Sequence, residues 1–306
     1  MPQVFQGSAT YPQPGPGPVL TIGNFDGVHR GHAHLVARVV ELARAHDVPA
    51  CAFTFEPPPR AVLQPDRRPP RILGIAEKIE RLGELGIDQV VVEAFDLDFA
   101  EHPPSWFLST VLATRLRPSH MVVGHDFRFG KGRTGNIETV RAAFPDLPLE
   151  QVGALQVDGV TASSSRIREA VALGDLDRAT ALLGRPYGFA GRVVRGRGLG
   201  HGLGFPTANL ETEAELLPAG GVYAAELRLG DRWLPAVANL GVRPTFDARR
   251  FAIEVHVLDF DGDLYDAEVR VRFVRRLRGE QRFSGPDALK DQIARDVHAA
   301  RSALSA

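Results

Sequence analysis

Cysteine is almost absent from this chain of 306 residues, which contains only Cys51. A lone cysteine excludes an intrachain disulfide and a multi-cysteine metal site, and it fits a reducing compartment. Lysine is nearly as rare, because Lys78, Lys131 and Lys290 are the three lysines among 36 basic residues. Arginine therefore supplies almost all of the positive charge, and its planar guanidinium suits bidentate contacts with phosphate.

Long apolar runs are also lacking. No segment reaches the ~18 consecutive apolar residues that crossing a bilayer requires, and the N-terminus has no basic stretch followed by an apolar one. The net charge of -1 at pH 7 excludes the broad positive field of a sequence-independent nucleic-acid binder. We therefore expect a cytoplasmic protein with neither membrane nor nucleic-acid partners. Whether it forms a homo-oligomer stays open.

Length and sequence pattern predict two domains, residues 1–184 and 185–306. Between residues 18 and 152, apolar strands alternate with helical stretches, beginning with the strand at Val19 to Ile22. Such alternation indicates right-handed crossovers and a mostly parallel sheet covered by helices. The fold class predicted for the first domain is α/β, a doubly wound Rossmann-like domain.

The second domain has a different pattern. Beyond Gly184 come short strands such as 221–229 and 251–258, separated by Gly, Pro and Asp, which predict a small antiparallel β-barrel. A last amphipathic helix, with Leu289 to Leu304 at near-helical spacing, is predicted to close the chain. The acidic run 259–263 lies between two strands and is predicted to be a hairpin turn rather than a calcium loop.

The most informative motif is GNFDGVHRGH, residues 23–32, between an apolar strand and a helix. Ligands of open α/β sheets bind beyond the carboxyl ends of the strands, and free N–H groups at a helix start favour anions. Gly27 and Gly31 allow close backbone approach, while His29 and His32 can donate hydrogen bonds to one phosphate. Two isolated histidines are more often polar turn residues, but this context favours a site for the phosphates of ATP.

A second motif, GHDFRFG at residues 124–130, also follows an apolar strand. Asp126 could orient a nucleotide, and Phe127 or Phe129 could meet an aromatic ring of the ligand. The alternative, that both phenylalanines belong to the hydrophobic core, is at least as well supported by the sequence.

A third motif is SSSRIR, residues 163–168. Its serines can cap a helix start, and Arg166 and Arg168 could clamp a triphosphate. An ordinary N-cap followed by solvated arginines is the alternative.

In this order, GNFDGVHRGH, FTFEPPP, GHDFRFGKGRTGN and SSSRIR resemble the adenylyltransferase half of the bacterial bifunctional riboflavin kinases/FMN adenylyltransferases, also called FAD synthetases. The resemblance implies that His29 and His32 are catalytic and stabilise the transferring adenylyl group. Pro58 departs from the family pattern, which often has His there. The residues implied to bind ATP are Gly23, Phe25, Asp26, Gly31, Asp126, Ser164, Ser165, Arg166 and Arg168, and those implied to contact the flavin are Phe55, Phe127 and Phe129.

The P-loop signature GxxxxGK[ST] is missing, which argues against a P-loop kinase. The chain has instead a glycine-rich segment, GRVVRGRGLGHGLGFPTAN, at residues 191–209. Its glycines would let the backbone wrap around phosphates, and Thr207 and Asn209 offer the hard oxygen ligands that Mg²⁺ prefers. Taken alone, such a segment is more often a plain connection within a barrel.

This segment and NLGVRPTF at residues 239–246 resemble the riboflavin kinase domain of the same family. The resemblance implies ATP binding by Gly196, Gly198, Gly204, Thr207 and Asn209, with Thr207 and Asn209 as the Mg²⁺ ligands. It also implies that Glu254, in the strand FAIEVHV, is the catalytic base. An attacking alcohol does need a proton acceptor, although a glutamate in this pattern is more often an ordinary solvent-facing residue.

The expected function is therefore two consecutive reactions. Riboflavin and ATP give FMN and ADP, and FMN and a second ATP give FAD and pyrophosphate, both with Mg²⁺. One alternative is another nucleotidyltransferase with the HxGH motif, seen here as HRGH at residues 29–32, acting on a pantetheine or nicotinamide precursor. The predicted barrel with its PTAN motif at residues 206–209 disfavours this alternative. The other is a flavin-binding sensor or assembly protein that has lost turnover. The retention of a set of five residues disfavours it, namely His29, His32, Thr207, Asn209 and Glu254.

Overall fold

The computed structural model describes residues 1–12, 15–195, 204–244 and 249–305. The chain forms two compact units, Met1–Ser164 and Ser165–Ala306. The spatial division precedes residues 165–183, whereas the sequence pattern changes after them. The domain boundary at residues 184 and 185 therefore stays a prediction about sequence pattern.

The first unit is built on a parallel sheet of six strands in the order β1-β4-β3-β2-β5-β6. The strands are β1 (Gln3–Gln6), β2 (Val19–Ile22), β3 (Ala50–Glu56), β4 (Gln89–Ala94), β5 (His120–Gly124) and β6 (Leu149–Val152). From β2 the chain adds strands on one side, and with β5 it crosses to the other. The switch point between β2 and β5 is where a doubly wound sheet opens a crevice for ligands.

Helices join these strands. They are α1 (Arg30–Ala45), α2 (Pro59–Leu63), α3 (Ile75–Glu84), α4 (Leu97–Glu101), α5 (Pro104–Trp106), which continues as a π-helix (Phe107–Leu116), and α6 (Ile137–Ala143). Short 3-10 turns occupy Ser8–Thr10, Pro65–Arg67 and Lys131–Arg133, and a small hairpin pairs β7 (Gln156–Val157) with β8 (Val160–Thr161). The predicted α/β class of this unit is confirmed.

The core of the first unit explains why these segments fold as they do. In α1, Leu35, Val36, Val39 and Ala43 are buried, which is one face of a helix. The central strands β2, β3 and β5 are largely buried on both faces, because helices cover both sides of the sheet, and all four residues of β2 are buried. This packing fixes the carboxyl end of β2, and with it the loop that follows.

The second unit begins at Ser165, within α7 (Ser164–Leu173), and continues with α8 (Leu176–Leu183). The predicted helical stretch from Ser165 to Leu183 is thus interrupted, because Gly174 has a φ of 75°, which ends the first helix. The barrel strands are β9 (Tyr187–Val194), β10 (Ala208–Glu211), β11 (Gly221–Leu229), β12 (Arg232–Pro244), β13 (Arg249–Val257) and β14 (Glu268–Arg278), and the last helix is α9 (Pro286–Leu304).

These six strands close into an antiparallel barrel in the order β10-β13-β12-β11-β14-β9. Ile253, Val255 and Val257 alternate along β13 as its buried face. Outside the barrel, α9 covers an apolar patch made by Val222, Ala224, Val237 and Leu258. The predicted barrel and closing helix are confirmed.

One turn prediction was wrong. Residues 259–263 do not form a hairpin, because β13 pairs with β10 and β12 while β14 pairs with β9 and β11. The segment connects two strands that are not neighbours in the barrel. Short acidic and glycine-rich segments look alike whether they join adjacent or distant strands, so sequence pattern alone did not separate these cases.

Candidate functional sites

The first candidate site is the loop from Gly23 to His29, at the carboxyl end of β2 and the start of α1. The loop turns sharply, with positive φ angles of 47° at Phe25, 87° at Gly27 and 38° at Val28. Non-glycine residues rarely adopt such angles, and they concentrate where a backbone shape serves a function. The loop lies at the switch point of the sheet, where the sequence predicted a phosphate site.

His29 and His32 form a reciprocal cap at the start of α1. His29 is the N-cap, and its Nδ1 accepts a hydrogen bond from the His32 amide at 3.3 Å. The Nδ1 atom of His32 accepts one from the His29 amide at 3.4 Å. Because both Nδ1 atoms are acceptors, a ring in its neutral form carries its proton on Nε2. The cap thus engages the Nδ1 atom of both rings.

The surroundings of His32 keep its ring neutral. The ring stacks on His29 and meets the edge of Phe25, with ring centroids 3.6 Å and 5.3 Å away. Desolvation, followed by the charges of His29 and Lys78, lowers the pKa of His32 well below its ordinary value of 6.5. A neutral imidazole can still donate a hydrogen bond from Nε2.

Asp26 organises the loop through its own bonds. Its carboxylate oxygen Oδ1 accepts from the amides of Ile72 and Leu73, at 3.0 and 3.3 Å, and its carbonyl accepts from the Ser164 hydroxyl at 2.8 Å. These contacts tie the loop to the segment before α3 and to Ser164, the last residue of the first unit. Ser164, which the sequence placed in the ATP site, thus meets the phosphate loop directly.

Two of the predicted glycines lie in tight packing. A Cβ on Gly31 would lie 3.0 Å from the Ala162 carbonyl and 3.1 Å from the His29 ring, and a Cβ on Gly23 would lie 3.2 Å from the Phe25 ring. Phe25 itself is 1% exposed, so its side chain belongs to the interior. Its predicted contact with ATP stays a prediction.

The remaining predicted residues of the first unit lie in different surroundings. Asp126 is exposed just beyond the end of β5, on the other side of the switch point. Phe127 and Phe129 are 8% exposed and belong to the hydrophobic core, with Phe55 packed against it. This location fits the core alternative that the sequence left open, and the predicted flavin contacts stay predictions.

The predicted ATP residues of SSSRIR that follow Ser164 belong to the second unit. Ser165, Arg166 and Arg168 lie in the first turns of α7, where Arg166 pairs with Glu169 at 2.9 Å. Both partners of that pair are about half exposed, so the pair adds little to stability. The predicted role of the two arginines in clamping a triphosphate stays a prediction.

The second candidate site is a row of three polar residues across neighbouring barrel strands. Glu254 of β13 lies opposite Asn209 of β10 on one side and opposite Asn239 of β12 on the other. Residues directly opposite in antiparallel strands point to the same face. Their neighbours Leu210 and Ile253 are buried in the barrel, so the row lies on its outer face. The fold thus brings together Asn209 and Glu254, which the sequence predicted separately.

His256, two residues beyond Glu254 on the same strand face, holds the segment before Asn209 in place. Its Nδ1–H donates to the Pro206 carbonyl at 2.7 Å, and its ring meets Phe205 edge to face at 5.6 Å. This bond anchors the turn that carries Thr207, which is partly exposed. The predicted ATP residues Gly196 and Gly198 lie outside the described residues, and Gly204 is exposed at the start of the described segment.

Comparison with known proteins identifies the family. A family model described as FAD synthetase matches residues 12–166, and one described as riboflavin kinase matches residues 183–304. A bifunctional riboflavin kinase/FMN adenylyltransferase of Escherichia coli strain K12 is 42% identical over 291 residues, which cover 94% of this chain and 93% of that protein. The chain belongs to the bifunctional riboflavin kinase/FMN adenylyltransferase family.

A further relative and a solved structure are also similar to this chain. A bifunctional riboflavin kinase/FMN adenylyltransferase of Pseudomonas fluorescens is also 42% identical, over 94% of this chain and 93% of its own. A crystal structure of a macrolide-efflux protein from Streptococcus pneumoniae superposes with a TM-score of 0.90 at 30% identity, covering 97% of this chain and 98% of that one.

In the described parts of this chain, no helix combines the length and apolar character needed to cross a bilayer.

Two residues at the barrel site were missed in the sequence. Asn239 is the first residue of the segment NLGVRPTF, but its place beside Glu254 depends on the pairing of β12 with β13. His256 was visible as the second residue after Glu254, a spacing that predicts a shared strand face. That signal was sufficient to place His256 beside Glu254, although not to show its bond to Pro206.

Proposed function

We propose that residues 185–306 phosphorylate riboflavin and that residues 1–184 adenylylate the FMN so formed. The observation that carries this two-site proposal is that the His29–His32 pair and the Glu254–Asn209 pair lie in different compact units. The two family models match the same two parts of the chain. Each constellation suits a different reaction.

At the first site, a phosphate oxygen of FMN attacks the α-phosphorus of ATP, and pyrophosphate leaves. The nucleophile is already anionic near neutral pH, so the protein needs no strong base there. Negative charge builds on the transferring group, and we propose that the Nε2–H donors of His29 and His32 stabilise it together with the start of α1. The other residues proposed to hold ATP are Gly23, Asp26, Gly31, Asp126, Ser164, Ser165, Arg166 and Arg168.

At the second site, the terminal ribityl hydroxyl of riboflavin attacks the γ-phosphorus of ATP, and ADP leaves. The hydroxyl must lose its proton as the new P–O bond forms, and we propose that the carboxylate of Glu254 accepts it. Glu254 stands between Asn209 and Asn239 on the outer face of the barrel, within one strand spacing of each. We propose that Asn209 holds the phosphate chain beside the base.

The donor set of this second site fits Mg²⁺. Thr207 and Asn209 supply neutral oxygens two residues apart, and Mg²⁺ is commonly held by one or two protein ligands together with substrate phosphates. No group of three or more His, Cys, Asp or Glu placed to hold a metal occurs among the described residues. We therefore propose that Thr207 and Asn209 hold Mg²⁺ jointly with ATP. When bound, the ion would neutralise charge on the β- and γ-phosphates.

The test is chromatography of flavins during incubation of the purified chain with riboflavin, excess ATP and MgCl₂. FMN should appear first and FAD later, and FMN supplied directly should give FAD. FMN without FAD would contradict the role proposed for the first site, and FAD only from added FMN would contradict that of the second. Riboflavin binding without ATP consumption would favour the flavin sensor.

The remaining expectations are separate from this test. We propose that the chain works in the cytoplasm, with riboflavin, FMN and ATP as its small-molecule partners. A subcellular fractionation that found it in the membrane fraction would contradict the first point. The absence of nucleic-acid partners stays a prediction from the sequence. The oligomeric state stays open.

A further inference from the structure

Lys78 is a cation buried beside the proposed adenylylation site. It lies in α3, its side chain belongs to a residue that is 2% exposed, and its Nζ donates to the Thr54 hydroxyl at 3.4 Å. Within the described residues, no ion pair forms with Lys78. A lysine ammonium has three N–H donors, and burying it with one long hydrogen bond costs free energy. The fold therefore retains an expensive positive charge at this position.

Thr54 links this charge to the phosphate loop. Its hydroxyl, which is fully buried, accepts from Lys78 and donates to the Asn24 carbonyl at 3.3 Å. Asn24 lies inside the loop from Gly23 to His29. A chain of two hydrogen bonds thus runs from the ammonium to the backbone that precedes the histidine pair.

The charged groups around Lys78 have other partners. Asp26 accepts from the amides of Ile72 and Leu73, and Glu56 forms an ion pair with Arg71 at 3.0 Å. Burial lowers the pKa of Lys78, while the charges of Asp26 and Glu56 act in the opposite direction and that of Arg71 in the same direction. The charge of Lys78 also acts on His32 of α1, whose pKa it helps to lower.

We propose that Lys78 is a positioning residue of the adenylylation site. It acts through Thr54 and the Asn24 carbonyl to hold the Gly23–His29 loop in shape, and it adds positive charge on the protein side of that loop, where the triphosphate of ATP supplies the balancing negative charge. This inference rests on the proposed function of the first site. It explains why a buried cation with so few direct partners persists, because the substrate would add its negative charge to the charges of Asp26 and Glu56.

The test replaces Lys78 by methionine in the full chain, since methionine keeps the length of the side chain and removes its charge. We expect kcat/KM for ATP in FAD formation to fall about 10- to 100-fold, mainly through KM, because the triphosphate is charged both in the bound substrate and in the transition state. Riboflavin phosphorylation should not change. Removing a costly buried charge should leave the thermal midpoint equal to or above that of the wild type.

Two controls isolate the effect. Lys290→Met removes the charge of an exposed lysine on α9 and should change neither activity. Thr54→Val removes the bridging hydroxyl and should weaken FAD formation in the same direction as Lys78→Met, whereas Thr54→Ser keeps the hydroxyl and should restore it. If the Lys78 variant does not fold, the comparison of Thr54→Val with Thr54→Ser tests the proposed positioning role.

The pH profile adds a readout that a structural role would not move. In the wild type, kcat/KM for ATP should fall as alkaline pH removes the Lys78 proton, and this limb should be missing in Lys78→Met. If the wild type forms FAD and Lys78→Met retains its full kcat/KM and alkaline limb, the inference is wrong while the proposed function stands. If the wild type forms no FAD from FMN, the proposed function of this site itself is wrong.

Discussion

The imidazole rings of His29 and His32 stack at a centroid distance of 3.6 Å, each ring capping the backbone amide of the other. The pair therefore has a structural role at the start of α1 and a proposed chemical role through the two Nε2–H groups. A substitution can separate these roles if it keeps the cap and removes the donor.

His29→Asn is that substitution, because asparagine is a good N-cap residue but cannot place a donor where Nε2 lies. We expect FAD formation to fall about 10²- to 10³-fold in kcat, the usual loss when one such donor is removed. The thermal midpoint and riboflavin phosphorylation should stay near the wild type. An equal loss of both activities would contradict the assignment of His29 to the first site.

His32 should make stability depend on mildly acidic pH. Its folded pKa lies well below 6.5, so between that pKa and 6.5 the unfolded chain binds a proton that the folded chain does not. The contribution of His32 to stability is therefore full above pH 6.5 and falls as the pH is lowered, by at most about 1.4 kcal/mol per pH unit.

Urea unfolding at several pH values between 7.5 and 5 measures this dependence. His32→Gln should flatten the curve in that range. His34→Gln, which changes an exposed histidine on the same helix, should leave it as in the wild type. A curve that keeps its slope in His32→Gln would show that another group causes it.

Glu254→Gln should stop riboflavin phosphorylation and spare FAD formation from added FMN. Glutamine keeps the shape of the side chain but cannot take the hydroxyl proton, so we expect kcat of the kinase step to fall about 10²- to 10⁴-fold. Glu268→Gln, at an exposed position on β14, is the matched control and should behave as the wild type. Initial rates of FMN and of FAD formation, measured separately, distinguish the outcomes.

His256 is predicted to act on the kinase step through the turn that it anchors. Loss of its bond to Pro206 in His256→Ala frees the turn that carries Thr207, so KM for ATP should rise about 10-fold, the equivalent of one hydrogen bond of about 1.4 kcal/mol. His256→Asn should recover most of the loss, because the asparagine amide can replace Nδ1–H as the donor. Unchanged kinetics in His256→Ala would show that the turn holds its shape without this bond.

The sequence predicted the parts of both sites that depend on local order. His29 and His32 are close because they are three positions apart at a helix start, and the strand before them is mostly apolar. The location of the site beyond the carboxyl end of a strand followed from the alternation of strands and helices. The hairpin prediction at 259–263 was wrong because it depended on which strands pair. The local sequence pattern does not contain that information.

Features that join distant segments lay beyond the sequence argument. The row formed by Asn209, Glu254 and Asn239 requires β13 to lie between β10 and β12, which is a consequence of how the barrel closes. Lys78 precedes the apolar Ile79 of an amphipathic helix, and its burial depends on Thr54, 24 residues earlier in the chain. Asp26 was predicted to bind ATP. Its bonds to the amides of Ile72 and Leu73 were not predictable, because they depend on the path of a long loop.

Closure of the barrel has a further consequence for the behaviour of the protein at high concentration. The ladder from β9 to β10 completes the ring, so each of the six strands has a neighbour on both sides. Open sheet edges are templates for strand addition between molecules, and a closed ring removes them. The parallel sheet of the first unit does end in two short strands, β1 and β6. Intermolecular strand pairing and aggregation should therefore begin in the first unit when the protein is stressed.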